Sequence, residues 1–241
     1  MLIVYQIWYS NIHMKTKILI AVILTIVIAG VLLTLKKDTP SLGGNGPIDD
    51  TQIKDDVATN TGENIAAGTY TITPGQTIGW NAKKRVGGGH NGTVEISKAT
   101  FETDGAVILK ADLEFALDTI TALDLELGKG KEKLENDLKG KDFFNVETYK
   151  TGTFVLTSSA ALVGGTALLT GDLTIKGKTQ EISIPVVVRN DSGMVTITGT
   201  FSFNRTKFNI NYASASIPGA VKDVIIEDEV GITIANTFKK D

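Results

Sequence analysis

Between Ala106 and Asp118 the chain reads AVILKADLEFALD. Taken two residues at a time, Val107, Leu109, Ala111, Leu113, Phe115 and Leu117 make one apolar row, and Lys110, Asp112, Glu114 and Asp118 lie opposite. That is the period of a strand with one wet face, not the 3.6 of a helix. A row of this length has to be covered along its whole extent, so the remaining strands must wrap round to meet it.

The rest of the C-terminal region supplies those strands. Thr69–Thr73 is followed by the turn Pro74-Gly75 and then by Thr77–Lys83, with Ile78, Trp80 and Ala82 on one face. Val86 to Gly92 contains three successive glycines and reads as a hairpin connection, because it lacks the lysine and hydroxyl residue of a nucleotide-binding loop. Thr93–Ser97 and Thr100–Thr103 alternate again. Beyond the long strand the period changes: Gly130–Gly140 spaces Leu134 and Leu138 by one helical turn, pairs lysines with acids four residues on, and is bounded by glycine. Phe143, Phe144 and Tyr149 follow this short helix. Strands then read over Gly152–Ser158, Ala167–Ile175, Gln180–Arg189, Val195–Phe203, Asn209–Ser214 and Val224–Thr237. Pro185 on the outer face of its strand indicates an edge or a bulge.

About eight half-buried antiparallel strands with one helical insertion predict an all-β, up-and-down barrel, since closure removes the exposed edges. A two-sheet sandwich is the alternative. Ala111, Ala167, Gly171 and Gly199 interrupt an inward wall of Leu, Ile, Val and Phe. On residue types alone they fit a tapered packed core or the floor of a channel.

The N-terminal part has a different character. Residues 1–17 form a short leading segment, within which Met14 offers a second natural start. Ile18–Leu35 is uncharged and as a helix would be about 27 Å long, enough to span a bilayer. Lys15 and Lys17 before it and Lys36-Lys37 after it fit a transmembrane signal anchor, with a cleaved signal as the alternative. Residues 36–66 are acidic and rich in Gly and Pro, with too few large apolar residues to offset the entropy of ordering, and read as a flexible tether. Residues 67–241 hold the barrel. The short N-terminus and the acidic tether place that domain outside the cytoplasm.

Composition narrows the function. With 24 Lys+Arg against 27 Asp+Glu, a net charge of -3 and no basic cluster interleaved with aromatics, no electrostatic footprint for nucleic acid exists. There are no cysteines, hence no disulfide, thiolate metal site or thiol nucleophile. His13 and His90 are the only histidines, so a multi-histidine metal site is excluded. No catalytic constellation is evident, and the sequence calls for no cofactor. An enzymatic alternative would draw on Lys83, His90 or Arg205 inside the barrel. A homodimer is compatible with the sequence.

Six stretches in order are familiar: Gly68-Thr-Tyr-Thr-Ile-Thr-Pro, Trp80-Asn-Ala-Lys-Lys, Gly89-His-Asn-Gly-Thr-Val, Asp142-Phe-Phe-Asn-Val-Glu-Thr-Tyr, Gly171-Asp-Leu-Thr-Ile-Lys-Gly and Asn204-Arg-Thr-Lys-Phe-Asn-Ile. Together they resemble the motifs of the YceI-like family over about Gly68 to Thr237. The chain departs from that pattern at Asn145 and at Lys150-Thr151-Gly152. The resemblance implies a lipocalin-like barrel, without catalysis, that holds a polyisoprenoid or similar long-chain lipid in an apolar channel outside the cytoplasm. It moves the channel ahead of the packed core. On that reading the ligand-lining residues are Trp80, Leu109, Leu113, Phe115, Phe143, Phe144, Phe154, Leu169, Ile197 and Phe201. The other reading is a non-catalytic scaffold or adhesion domain with a filled core.

Overall fold

Alternating residues become strands wherever turn residues bound them. The computed structural model describes residues 65–216 and 225–241, all within the second of the two units into which the chain divides, Ala58–Asp241. Strands β1 (Gly68–Ile72), β2 (Thr77–Lys84), β3 (Gly89–Thr103) and β4 (Val107–Ala122) precede helix α1 (Lys131–Lys139). Then come β5 (Thr151–Leu156), β6 (Ala160–Ala161), β7 (Thr166–Ile175), β8 (Lys178–Asp191), β9 (Met194–Asn204), a 3₁₀ turn at Arg205–Phe208, and β10 (Ile226–Lys240). The leading segment 1–17, the expected membrane helix at 18–35 and nearly all of the 36–66 tether lie outside the described residues. Among the described residues no helix is long and apolar enough to cross a membrane.

The strands pair antiparallel in the order β2-β3-β4-β5-β7-β8-β9-β10, and β10 returns to β2, so eight strands close a barrel. Closure rules out the two-sheet sandwich. The two short strands continue their neighbours: β1 extends β2, since both pair with β3 and β10, and β6 extends β5 along β4. Pro74, which has no N–H to give to a ladder, sits in the break between β1 and β2. Gln76 bridges that break, donating to Thr73 Oγ1 at 3.0 Å and accepting from the Thr237 amide at 3.3 Å.

Three sequence expectations need correction. First, Thr93–Ser97 and Thr100–Thr103 belong to one strand, β3, because the extra residue near Ser97 is absorbed as a bulge between the pairs Ile96–Phe115 and Lys98–Glu114. Second, Leu109 does not face inward. Glu102 pairs with Lys110 but Thr103 pairs with Ile108, so Leu109 is the surplus residue of a bulge. The strand therefore changes phase: Ile108 is buried and Leu109 is 41% exposed. Val107, Ile108 and Leu109 are all apolar, so the pattern there carries no information about which face is inside. Third, Asn209–Ser214 is not a strand. Asn204 accepts a hydrogen bond from the Thr206 amide at 3.0 Å and starts the 3₁₀ turn, and Asn209 and Ala213 take left-handed backbone angles that no strand continues through.

A further irregularity lies at the other end of β4. Between Thr93–Thr121 and Glu95–Ala116 the ladder skips Leu117–Ile120. Thr119 Oγ1 fills the gap, accepting from the Glu95 amide at 2.9 Å and donating to the Ala116 carbonyl at 2.7 Å. Leu117 and Ile120 are both buried as a result.

Pro185 marks a local edge, as its position suggested. β8 pairs with β7 along Lys178–Val187 but with β9 only from Val186 to Asp191. Over the remaining part of β8 the seam toward β9 is unpaired, and the 3₁₀ turn packs against β8 there. Phe208 and Ile210, both buried, belong to this closing segment.

Candidate functional site

The interior of the barrel is not filled. It encloses a cavity of about 230 Å³ lined from all eight barrel strands, helix α1, the Phe143-Phe144 pair and the 3₁₀ segment. A single water needs only about 10–15 Å³ of such space. Most of the lining side chains are Leu, Ile, Val, Ala, Phe or Trp. Thr100, Asp112 and Asn236 are the polar residues along the walls, while Lys83, Lys84, His90 and Arg205 lie toward the end that carries α1.

Glycines set the width of this space. A Cβ on Gly152 would stand 2.3 Å from the Phe115 ring, its partner across β4 and β5. One on Gly171 would stand 2.6 Å from the Phe154 ring. The absence of a side chain at these points lets each ring lie against the wall instead of projecting to the axis. Gly171, which the sequence left open between a tapered core and a channel, thus accommodates a ring of the cavity lining.

The two ends are closed differently. At one end Tyr70 stacks on Phe101 with ring centroids 4.7 Å apart, and Phe101 meets Phe238 edge-on at 5.2 Å. The Tyr70 hydroxyl donates to the Ala66 carbonyl at 2.8 Å, so this aromatic floor is satisfied where it is polar. At the other end α1 lays Leu134 and Leu138 over the cavity. Glu135 ties the helix to the end of β4, accepting from Thr121 Oγ1 at 2.6 Å and the Ala122 amide at 3.0 Å. Phe143 packs on Tyr212 at 5.3 Å, and Lys176 Nζ donates to the carbonyls of Lys141 and Asn209 at 2.9 and 3.2 Å, joining the helical segment to the loop after β9. Asn145, a departure from the family pattern, adopts a left-handed conformation suited to asparagine at the turn that follows.

Of the ten residues singled out from the sequence, Trp80, Leu113, Phe115, Phe143, Phe144, Phe154, Leu169, Ile197 and Phe201 line the cavity. Leu109 does not, for the reason given above. Asn236 and Phe238 also line it, beyond the point where alternation was followed in the last strand. Alternation continued for two more inward positions, from Ile234 through Asn236 to Phe238, finds both.

Two of the polar groups proposed for a catalytic alternative, Arg205 and His90, have structural partners. Arg205 is buried, and its guanidinium donates to the carbonyls of Ile210, Tyr212, Ile226 and Glu227 at 2.8–3.1 Å. Asp228 lies 3.5 Å away. His90 Nδ1 is 2.8 Å from Asp124 Oδ2, and Asp124 Oδ1 accepts from the Asn91 amide at 3.0 Å, which joins the start of β3 to the loop after β4. Lys83 lies near the barrel's end. Among the described residues no cluster of three His, Asp or Glu side chains could hold a metal ion.

Three of these carboxylates give the fold an acid sensitivity. For Glu135 the Thr121 hydroxyl is the main influence and holds the carboxyl below its usual range. For Asp124 and Asp228 burial pushes upward, but hydrogen bonds outweigh it: the Asn91 amide and His90 in the first case, the Ser214 and Ser216 hydroxyls with Arg205 in the second. Both end lowered. A carboxyl whose folded pKa is depressed stabilises the fold above its unfolded pKa, about 4, and that contribution is lost as the pH falls through the folded value. Urea midpoints are therefore expected to fall as pH drops below about 4. Glu135→Gln should flatten part of that decline and speed amide exchange in α1. An unchanged profile in the variant would remove Glu135 from the account.

Trp80 carries the opposite feature. Its indole Nε1 is buried and has no hydrogen-bond partner. An unmet buried donor costs about 1–3 kcal/mol. Trp80→Phe is accordingly expected to leave the urea midpoint unchanged or raise it, and a drop of the size seen on losing a formed hydrogen bond would show that the N–H is engaged.

Together these features define a closed antiparallel barrel with an apolar lumen, an aromatic floor and a helical cap. The YceI-like domain model matches residues 70–238, and the chain belongs to that family. Among solved structures it is similar to BcnA of Burkholderia cenocepacia, with 25% identity and a TM-score of 0.55 over 67% of this chain and 95% of that one. It is also similar in fold to a polyisoprenoid binding domain from Saccharophagus degradans implicated in plant cell wall breakdown, with 10% identity and a TM-score of 0.52 over 73% of this chain and 99% of that one. No curated protein matches the chain.

Proposed function

We propose that this protein is a non-catalytic carrier that holds a polyisoprenoid or similar long-chain amphiphile in the lumen of its barrel. The observation that carries this reading is the cavity itself: a tube with apolar walls, held open by rings laid against glycines and floored by Tyr70, Phe101 and Phe238. Such a space favours a hydrocarbon chain, since removing apolar surface from water is worth about 25 cal/mol per Å². The polar residues gathered toward the α1 end suit a head group there, with the tail running to the floor. Family membership and the polyisoprenoid binding named for the Saccharophagus domain support the same class of cargo.

In this proposal residues 18–35 anchor the protein in the membrane and the barrel works outside the cytoplasm, where a tether of about thirty residues lets it move relative to the bilayer. Mass spectrometry of organic extracts of the purified full-length chain tests the cargo. A stoichiometric long-chain isoprenoid or related lipid is the expected result. An empty protein that also fails to take up added polyisoprenoids would overturn it. Protease accessibility of the barrel in intact cells tests the location.

A further inference from the structure

The loops at the α1 end of the barrel carry an unusual surface. β2 ends at Lys84, β3 begins at Gly89 and β4 ends at Ala122, with Gly92 paired to Ala122, so the β2–β3 hairpin and the β4–α1 loop leave the barrel side by side. Val86 at the hairpin tip is 64% exposed, and Leu123 and Leu127 in the neighbouring loop are 63% and 75% exposed. Hydrogen bonds hold the two loops together: the Leu123 amide donates to the Asn91 carbonyl at 2.9 Å, and His90 meets Asp124. The hairpin tip is also fixed, by the Lys84 amide donating to the Gly88 carbonyl at 2.7 Å while Gly87 and Gly88 take left-handed angles. These apolar side chains are thus held out in water by ordered backbone.

Cations flank them. Lys83, Lys84 and Arg85 directly precede Val86, and Lys129 and Lys131 follow Leu127. Arg85 reaches Glu227 at 3.4 Å, Lys129 reaches Glu126 at 2.6 Å, and Lys131 reaches Glu135 at 3.8 Å. Among the described residues Lys83 and Lys84 have no acidic partner. The chain as a whole is anionic, at -3, so this pair of free lysines beside exposed apolar tips is a local feature. Lys83, Lys84, Gly89 and His90 also line the cavity, so the surface is continuous with its mouth.

We infer that this end of the barrel docks on an anionic lipid bilayer, with Val86, Leu123 and Leu127 entering the head-group region and Lys83 and Lys84 meeting lipid phosphates. Exposed apolar side chains beside lysines that have no acidic partner fit interfacial binding, even with Asp124 and Glu126 between Leu123 and Leu127. Each lysine near an anionic surface contributes enough that removing two lowers the affinity for the vesicle about 30-fold. Docking here would bring the cavity mouth to the membrane, where a long-chain lipid resides. The inference concerns the surface and stands apart from the identity of the cargo.

The absence of cysteine makes the test direct. Full-length protein carrying Val86→Cys, Leu127→Cys or Val163→Cys is labelled with an environment-sensitive fluorophore and placed on vesicles of phosphatidylcholine alone or with phosphatidylglycerol. Val163, 72% exposed, sits beyond β6 at the opposite end of the barrel and reports mere proximity to the membrane. Labels at 86 and 127 are expected to shift to the blue and to be quenched by nitroxide-bearing lipids on the anionic vesicles, while the label at 163 stays aqueous. Lys83→Ala with Lys84→Ala, or high salt, should return the first two to their aqueous spectra. If positions 86 and 127 behave like 163 on both vesicles, the docking surface is refuted, whatever lipid the barrel is found to carry.

Discussion

Leu113→Trp is expected to leave the barrel folded and to abolish lipid uptake. Leu113 sits half-buried on β4, opposite Ala99 on β3 and Phe154 on β5, and lines the cavity. In a well-packed core the added volume would force its neighbours off their rotamers at about 1–3 kcal/mol. Here the ring has open space ahead of it, so the cost falls on the cargo. The measurement is paired: urea midpoint for stability, and bound lipid per barrel by mass spectrometry after incubation with a polyisoprenoid. A midpoint near that of the wild type with occupancy reduced at least about tenfold, or 1.4 kcal/mol in binding, is the expected pair. A folded variant that fills normally would place the ligand elsewhere, and a large loss of stability would mean that the space is not open in solution. Gly152→Val tests the same lumen from the wall. Its side chain would displace the Phe115 ring toward the axis, so it too should lower occupancy.

Much of this lumen can be read from alternation alone. Val195, Ile197, Gly199, Phe201 and Phe203 run unbroken along β9; Ile197, Phe201 and Phe203 line the cavity and Val195 is fully buried. From Thr196 to Asn204 every intervening residue is polar, so only one register buries the row. The helix is equally legible from Leu134, Leu138 and the bounding glycines. Reading fails where local chemistry gives no contrast. Val107-Ile108-Leu109 is apolar on both faces, and only the slip of Thr103 onto Ile108 decides which side is inside. The four-residue skip at Leu117–Ile120 depends on a threonine hydroxyl filling in for a ladder partner, which no periodicity announces. Nor does alternation alone distinguish a filled barrel from an open one. That depends on where glycines lie relative to aromatic rings on adjacent strands, such as Gly152 beside Phe115, and so on register rather than on either strand's own pattern. The anchor at 18–35 and the tether that follows it are read from residue types alone.

Replacing Arg205 is expected to be the most destabilising single change in the barrel. The residue follows Asn204, whose side chain starts the 3₁₀ turn, and its guanidinium is buried where β9 ends, β10 begins and the intervening loop returns. Burial lowers its pKa from the usual value while Asp228 pulls it back up; a guanidinium starts so high that it stays charged. Four carbonyls from two segments converge on it. In a buried ion pair both partners can be exchanged for apolar side chains at little net cost, but backbone carbonyls cannot be exchanged, so Arg205→Met strands all four and takes the neighbouring cation from Asp228. Removing one side of such a buried cluster costs about 3–5 kcal/mol. Arg205→Lys should recover little of this, because a single ammonium lacks the planar fork that reaches acceptors in four directions. The damage is also expected to reach the cargo. Phe208 and Ile210 are seated by this arginine at the seam where β8 and β9 part, so Arg205→Lys should release bound lipid faster than the wild type at urea concentrations where the barrel is still folded. A lysine variant with the wild-type midpoint and the wild-type release rate would reduce Arg205 to a passive filler, and the unpaired seam would then need another clasp.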